Sequence, residues 1–587
     1  MSYQPTLEQQ AILDAFPKHK TLKINAVAGS GKTSTLNMLA NANEMSSLYV
    51  CFNKANATEA ATKFPKHVAC RTMHSLAYAE YGRKLQHKLA GKFVAGEPYV
   101  NKGRSNLEVA KLYGIPDLRT SEDTMITCRA IAGLVKLTVG RYQNSPNEHI
   151  TEGLIPTAEV KDMQAAHPLL DVEKFKQIII NFANKLWNDR CDVNSPVQAE
   201  HDTYLKLWQL SSPTLNYEVI YVDEAQDTNP VCFDILKKQT HAKMVYVGDS
   251  YQSIYGFRQA VNAMEQIKAP MYVLSKSFRY GQKIADLATF IIKGAIDVKG
   301  LETLDSKVSY NLFEKYTMIF RTNAFLIGTA VTLIGQRKKV YCNIDTRKFE
   351  NQLNSVQALH DGDLKNVKDD DIAIYSSWAE FCEVLEEVPE YKRLAAIVEE
   401  GLTYVYLRAV KQIKLNKDSY DILLTTGHKS KGMEWDNVVI ADDFNPKWIL
   451  VDQHSENYNQ QEVNLFYVAC TRAIKNLTIP AEFMTAFKEH DFERTAEDTE
   501  DENENLTYPE RVRKAELAIG NIKLVHIDAG TSADWSELRN TIGNPSLNKL
   551  VDQVEAGVGV RLSNGNLVFP ATDLAEEELR ARYSFGG

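Results

Sequence analysis

The sequence predicts an α/β fold built on two parallel sheets, and three observations carry that expectation. Short apolar runs at Leu22–Val27, Leu48–Phe52, Val219–Val222 and Met244–Val247 alternate with helix-patterned segments. The first run leads into the glycine-rich turn Gly29–Gly31 and then into a helical pattern over Thr33–Ala42. After Ser275 a second series of runs, Met318–Arg321, Val340–Ile344, Ile422–Thr425 and Val438–Ala441, repeats the alternation. Short buried strands alternating with helices imply parallel sheets, with ligands at the carboxyl ends of the strands.

Each half carries an interruption. Residues 84–205 have mostly helical spacing and are too long for a loop, so a domain-sized helical insertion is expected there. A shorter, charged, largely helical stretch at 350–417 interrupts the second half. The expected organisation is a first domain over 1–83 and 206–275 and a second over 276–349 and 418–485. An acidic linker at 486–506 and a small C-terminal module at 507–587 follow. Residues 491–505 hold eight acids and one arginine, a linker composition. Val558–Leu562 and Asn566–Phe569 flank Ser563-Asn564-Gly565 as a hairpin would.

Composition excludes several classes. The chain has 587 residues, of which 44% are hydrophobic and 24% charged, as in ordinary globular proteins. No apolar run reaches the ~18 residues that span a bilayer, and Met1–Lys20 lacks an apolar signal-peptide core, so no membrane partner is expected. Eight scattered cysteines without a C-x-x-C pair suggest neither a zinc site nor a disulfide framework. They fit a reducing compartment, cytoplasmic or, in a eukaryote, nuclear. The net charge of −9 arises in 491–587, where 19 acidic residues face ten basic ones. The first 490 residues are formally neutral, so contacts to a phosphate backbone must come from a local basic groove.

The chemistry sits at the strand ends. Ala26-Val27-Ala28-Gly29-Ser30-Gly31-Lys32-Thr33 follows a strand and opens a helix, the context of a phosphate-binding loop. Its glycines let successive N–H groups turn inward, and the helix N-terminus adds partial positive charge. Ala28, Gly29, Ser30, Gly31, Lys32, Thr33 and Ser34 are the expected nucleotide-binding residues. Lys32 reaches the β/γ-phosphates, and the Thr33 hydroxyl is a ligand for Mg²⁺. The strand Val219–Val222 ends in Asp223-Glu224, 191 residues after the loop lysine. Asp223 is the candidate to hold Mg²⁺ and Glu224 to orient or deprotonate water. Gln252, in Gly248-Asp249-Ser250-Tyr251-Gln252, is placed to contact the γ-phosphate. Tyr255, Phe257 and Arg258 interleave aromatics with a cation, as in a stacking platform for unpaired bases, although helix core is the competing reading of each aromatic alone.

With these residues the chain resembles the UvrD/Rep family of superfamily 1 helicases, in which Ala stands where the general phosphate loop has its first glycine. The other motifs occur in order. Thr6-Leu7-Glu8-Gln9 resembles the adenine-reading Q motif, Val50-Cys51-Phe52-Asn53-Lys54 motif Ia, and Arg71-Thr72-Met73-His74-Ser75 motif Ib. Leu274-Ser275-Lys276-Ser277-Phe278-Arg279 resembles motif IV. Thr426-Gly427-His428 through Lys431-Gly432-Met433-Glu434-Trp435 resembles motif V, and Asn464 through Tyr467 to Thr471-Arg472-Ala473 motif VI. The resemblance spans about residues 5–485. Phe52-Asn53-Lys54 and His201–Trp208 bring the F-box DNA helicase branch closest, and with the motor motifs starting almost at residue 1 no F-box is expected in this sequence.

The resemblance implies two RecA-like P-loop domains, 1A and 2A, with insertions 1B at 84–205 and a reduced 2B at 350–417. ATP and Mg²⁺ are the implied cofactors. Lys32, Thr33, Asp223, Glu224 and Gln252 face the cleft from one side, and Arg279 and Arg472 face it from the other as arginine fingers. Gln9 reads adenine, Phe278 stacks on it in place of a frequent Tyr, and Glu434 lies near the ribose. Phe52, Asn53, Thr72, His74, Tyr255, Phe257, Arg258 and His428 match positions on a single-strand path. For His74 and His428 a hydrogen-bonded structural histidine is the competing reading. The implied activity is ATP-dependent translocation on single-stranded DNA, 3′-to-5′, with unwinding of duplex that carries a single-stranded tail in repair, recombination or replication. A translocase that strips proteins from DNA with little unwinding is the alternative, favoured by the short 2B. RNA is not discriminated without a 2′-hydroxyl reader. Residues 507–587 suit a protein-docking or duplex-binding unit.

Overall fold

In a computed structural model of the chain, residues 1–490 and 491–587 form separate units. The structure describes residues 4–490 except 52, 91–103, 122–123, 255–262, 310–312, 344–345, 370, 374, 376, 384, 386–388 and 416–418. In the second unit it describes three short strands.

The chain first lays down β1 (Thr21–Ala26), β2 (Ser47–Val50) and β3 (Val68–Arg71). It then leaves the sheet for a mainly helical excursion holding a two-strand ladder, β4 (Leu118–Arg119) against β5 (Met125–Ile126). It returns with β6 (Val219–Val222), β7 (Lys243–Gly248) and β8 (Met271–Leu274). The sheet order is β3-β2-β6-β7-β1-β8, with every pairing parallel.

Alternation along the strands assigns the two faces. Leu48, Val50, Ile220, Val222, Met244 and Tyr246 enter one core, and Tyr49, Cys51, Val219, Tyr221, Val245 and Val247 enter the other. A sheet covered on both sides needs apolar residues at consecutive positions, which is why these strands read as unbroken apolar runs.

A second parallel sheet follows, from β9 (Lys307–Ser309), β10 (Tyr316–Phe320), β11 (Val340–Cys342), β12 (Ile422–Thr426), β13 (Trp435–Ile440) and β14 (Ala473–Thr478). Its order is β11-β12-β10-β13-β14-β9. One face, with Ile319, Val438 and Leu477, packs on the helices Gln282–Ile291 and Gln460–Cys470. The other, with Phe320, Val340, Ile422 and Leu424, packs on helices of the 346–415 stretch.

The helical excursion between β3 and β6 has a core of its own, built on Ile131, Val135, Phe175, Ile179 and Leu186. The helix His201–Leu210 crosses residue 205 and sends Tyr204, Leu205 and Trp208 into the first sheet's core. Among the described residues no helix is long and apolar enough to cross a membrane, and all eight cysteines are free thiols. In the second unit β15 (Val525–Asp528) pairs parallel with β17 (Leu567–Ala571), and β16 (Val560–Arg561) pairs antiparallel with β17; the expected turn at Ser563-Asn564-Gly565 lies outside the described residues.

Candidate nucleotide site and nucleic-acid path

The carboxyl ends of β1, β6, β7 and β8 open on one edge of the first sheet, and the chemistry gathers there. Beyond β1 the chain turns through Gly29 and Gly31 at φ +77° and +79°, left-handed conformations that favour glycine. Gly29 is also needed for space: a Cβ there would lie 2.7 Å from both Arg279 Cβ and Ser277 Oγ. The 277–279 segment runs along the loop, with Ser277 Oγ donating to Ala28 O at 2.8 Å and Phe278 N to Gly29 O at 2.9 Å. The helix Lys32–Asn41 then starts, with Ser34 exposed on its first turn. The buried Ser30 hydroxyl has no partner among the described residues, which suits an acceptor supplied by a ligand.

Lys32 Nζ lies 3.6 Å from Glu224 Oε1. Burial works against its charge, yet the carboxylates of Glu224, Asp249 and Asp223 more than offset this and hold it above the ordinary lysine value. Glu224 occupies a left-handed conformation at φ +52°, which turns its side chain back toward the loop lysine. Burial would raise its carboxyl, but Lys32, Lys431 and a 2.5 Å hydrogen bond from Gln226 Nε2 bring it down to about 2. It is therefore ionised and able to accept a proton or a hydrogen bond from water. Asp223 Oδ2 accepts from Tyr49 OH at 2.5 Å and from Thr33 Oγ1 at 3.2 Å, while burial and the neighbouring Glu224 push its carboxyl up. The Thr33 hydroxyl and Asp223 carboxylate are adjacent hard oxygen donors, and a divalent cation fits that pair.

At the end of β7, a Cβ on Gly248 would lie 2.4 Å from Gln226 Oε1, so only glycine lets the strand pass the 223–227 turn. Asp249 Oδ2 accepts from Gln252 Nε2 at 2.7 Å and from Tyr467 OH at 3.1 Å.

Arg472, 1% exposed, donates to Val468 O at 2.8 Å, and its Nη2 lies 3.4 Å from Gln252 Oε1. Burial and the nearby Arg279 lower it to about 10, which leaves it charged at neutral pH. Arg279 is held from its own side of the cleft, by Glu434 Oε2 at 2.7 Å and Thr471 O at 3.1 Å. Lys431 crosses the cleft to pair with Asp227 and donates to Gln252 O at 2.5 Å. Burial pushes Asp227 up to about 6, with Lys431 pulling the other way.

Gln9 and the exposed Phe278 ring flank Gly31, each 3.7 Å from where its Cβ would be. The Gln9 amide also closes a capping box with Thr6 and donates to Thr35 Oγ1 at 3.1 Å. Asn53 and Thr72 follow β2 and β3 and cap the helices Lys54–Lys63 and Met73–Ala77. His74 Nε2 lies 3.1 Å from Asp202 Oδ1 with its ring edge-on to Tyr204. His428 lies on the short helix Gly427–Ser430 beyond β12. Phe52, Tyr255, Phe257 and Arg258 lie outside the described residues. Sequence reasoning did not single out Tyr49, Gln226, Asp227, Asp249, Lys431 or Tyr467. All six stand inside or beside the quoted motifs, but each acts through a partner distant in sequence or on an adjoining turn, and spacing does not reveal such pairs.

Residues 6–269 match the UvrD/REP helicase N-terminal domain. The chain is 30% identical over 511 residues to F-box DNA helicase 1 of Gallus gallus, an alignment covering 80% of this chain and 48% of the relative. It is 30% identical over 526 residues to F-box DNA helicase protein 1 of Schizosaccharomyces pombe, covering 81% and 57%. A putative ATP-dependent DNA helicase of Acanthamoeba polyphaga mimivirus is 24% identical over 275 residues, covering 44% and 34%. The chain thus spans about half the length of the F-box helicases it matches. With a phosphate loop, paired carboxylates and two arginines meeting in one cleft, the chain carries a UvrD/REP helicase N-terminal domain over residues 6–269 and is similar to UvrD-like helicases over most of its length.

Proposed function

We propose that the chain is an ATP-dependent DNA helicase that moves 3′-to-5′ on single-stranded DNA and opens duplex bearing a single-stranded tail. The observation that carries this reading is the convergence of Lys32 and Glu224 from one sheet with Arg279 and Arg472 from the other on the Gly29–Lys32 loop. Cations from both sides can grip the phosphates of one ATP, so the nucleotide bridges the cleft and its hydrolysis removes the bridge.

In this reading Lys32 binds the β/γ-phosphates, the loop N–H groups and Ser30 hydroxyl cradle them, and Glu224 takes the proton of the attacking water. Gln252, held by Asp249, orients that water or the γ-phosphate, while Arg279 and Arg472 neutralise charge developing on the transferred group. Thr33 and Asp223 would hold Mg²⁺, which supplies charge neutralisation at the β/γ oxygens. Gln9 and Phe278 take the adenine, with Glu434 near the ribose. Asn53, Thr72, His74 and His428, with Phe52, Tyr255, Phe257 and Arg258, take the strand. Residues 507–587 serve a protein or duplex partner.

The test compares duplexes with a 3′ or a 5′ tail, with ATP and Mg²⁺, using Lys32→Ala as the blank. Opening of the 3′-tailed duplex alone, lost in the variant, is expected. Preference for the 5′ tail overturns the polarity. ATP hydrolysis stimulated by single-stranded DNA without opening of either duplex moves the reading to a protein-displacing translocase. One observation favours that second reading: the described residues of the 350–417 stretch pack into the core of the second sheet and form no separate core that could act as a movable separation element.

A further inference from the structure

The helix Gln460–Cys470 packs on the second sheet, yet one of its faces meets the Asp249–Ser253 turn of the first. Asn464 Nδ2 donates to Ser253 O at 2.8 Å. Gln460 Nε2 donates to Asn464 Oδ1 at 2.7 Å, which orients the amide so that its NH₂ faces Ser253. One turn on, Tyr467 OH donates to Asp249 Oδ2 at 3.1 Å and accepts from Ala28 N at 3.2 Å. Both side chains are buried, and residues three apart share a helix face. Burial and the Asp249 carboxylate keep the phenol protonated, so it stays a donor.

The consequence is a mechanical connection. A single oxygen, Tyr467 OH, is tied to the phosphate loop and to Asp249, and Asp249 in turn holds the Gln252 amide at 2.7 Å. The same helix holds Ser253 O, two residues before Tyr255. Buried hydrogen bonds of this kind have no water to replace them, so the turn follows the helix when the second domain shifts.

We infer that Asn464 and Tyr467 are positioning residues that couple strand binding to ATP hydrolysis, by keeping Gln252 and the phosphate loop in register with the second domain. The inference rests on the helicase reading above. Neither residue contacts the phosphates: Asn464 acts through Ser253, and Tyr467 acts through Asp249 and Ala28.

The experiment measures steady-state ATP hydrolysis by the full chain with and without saturating oligo-dT. It compares the parent, Tyr467→Phe, Asn464→Ala and the double variant, each with a thermal melt. The stimulation factor is expected to fall about tenfold in Tyr467→Phe, the loss expected for one hydrogen bond to a charged group. Asn464→Ala is expected to lower it about threefold. The double variant should fall no further than Tyr467→Phe, because both act on one turn. An unchanged factor overturns the inference, as does a proportional fall of both rates with a lowered melting temperature, which is the mark of a structural role. Multiplicative loss in the double variant overturns the shared path. A parent without any stimulation by DNA overturns the helicase reading itself, and that result is visible before any variant is compared.

Discussion

The two excursions from the sheets solve the same problem in opposite ways. The first, between β3 and β6, closes around its own core of Ile131, Val135, Phe175 and Ile179. The second, at 346–415, has no such core among its described residues. Phe349, Leu353, Phe381, Leu394 and Val410 pack together with Phe320, Val340, Ile422 and Leu424 of the sheet it leaves. An element with its own core can loosen or turn as a unit, whereas one that shares its parent's core cannot move without opening that parent. Length favours the difference, because a shorter excursion buries a smaller fraction of its surface alone and gains more from borrowing a sheet face. The first excursion is still attached at defined points. Lys206, fully buried, donates to Ser145 O at 2.8 Å and to Asn147 O at 2.5 Å, and Leu207 packs against both cores.

The sharpest way to break this comparison is Phe381→Ala. Removing this fully buried ring should cost about 3–5 kcal/mol and, through the shared core, destabilise the second sheet. Denaturation should show the whole second domain melting earlier, with ATP hydrolysis lost at the same temperature because that sheet carries the helix Gln460–Cys470 that leads into Arg472. A local transition that spares hydrolysis would refute the shared core.

Phe175→Ala is the matched case, with a similar cost of about 3–5 kcal/mol but a shorter reach. Hydrogen exchange should show protection lost over 105–199, with KM for ATP unchanged at 25 °C. Loss of protection in β1 or β6 would show the first core to be continuous with the sheet.

A smaller effect concerns the attachment itself. Burial lowers Lys206 to about 8, against an ordinary value of 10.5. Between those values the unfolded chain binds a proton that the folded chain has released, so stability should rise with pH across that interval and be lost as pH falls through about 8. The urea midpoint should rise from pH 8 to pH 10, and Lys206→Met should flatten the rise. An equal slope in the variant would assign it to other groups.

The smallest expected change is at a contact between the excursions, where Arg129 Nη2 donates to Val367 O at 3.1 Å. Arg129→Ala should cost about 0.5–1.5 kcal/mol, read as a lower urea midpoint with faster exchange at the start of the helix Cys128–Gln143. An unchanged midpoint would mean that this bond does not tie the two excursions energetically.

Legibility in the sequence followed burial. Val219–Val222 has the same bounds in sequence and structure because all four residues are buried. The strands that the apolar pattern missed include β3, β8 and β9, which form sheet edges and are only partly buried, and β14, which carries Lys475 and Asn476. An edge strand has one neighbour and less cover, so it can be short and partly exposed even where, as at Met271–Leu274, its residues are apolar. In the site the glycine-rich loop and the Asp223-Glu224 pair were readable because each is a local pattern at a strand end. Tyr467 reads as an apolar-patterned helix residue, and nothing at its spacing announces Asp249 or Ala28 as its partners.

The sequence by itself determined two parallel α/β halves, a phosphate loop, a pair of carboxylates and a set of ordered motifs, because periodicity, glycine and strand-end chemistry are local properties. Tertiary structure alone decided that Arg472 meets Gln252, that Lys431 crosses to Asp227, that Gly29 makes room for Arg279, and that one excursion owns its core while the other borrows one. Those outcomes depend on which surfaces meet when the chain closes on itself, and contact between residues hundreds of positions apart leaves no periodic mark along it.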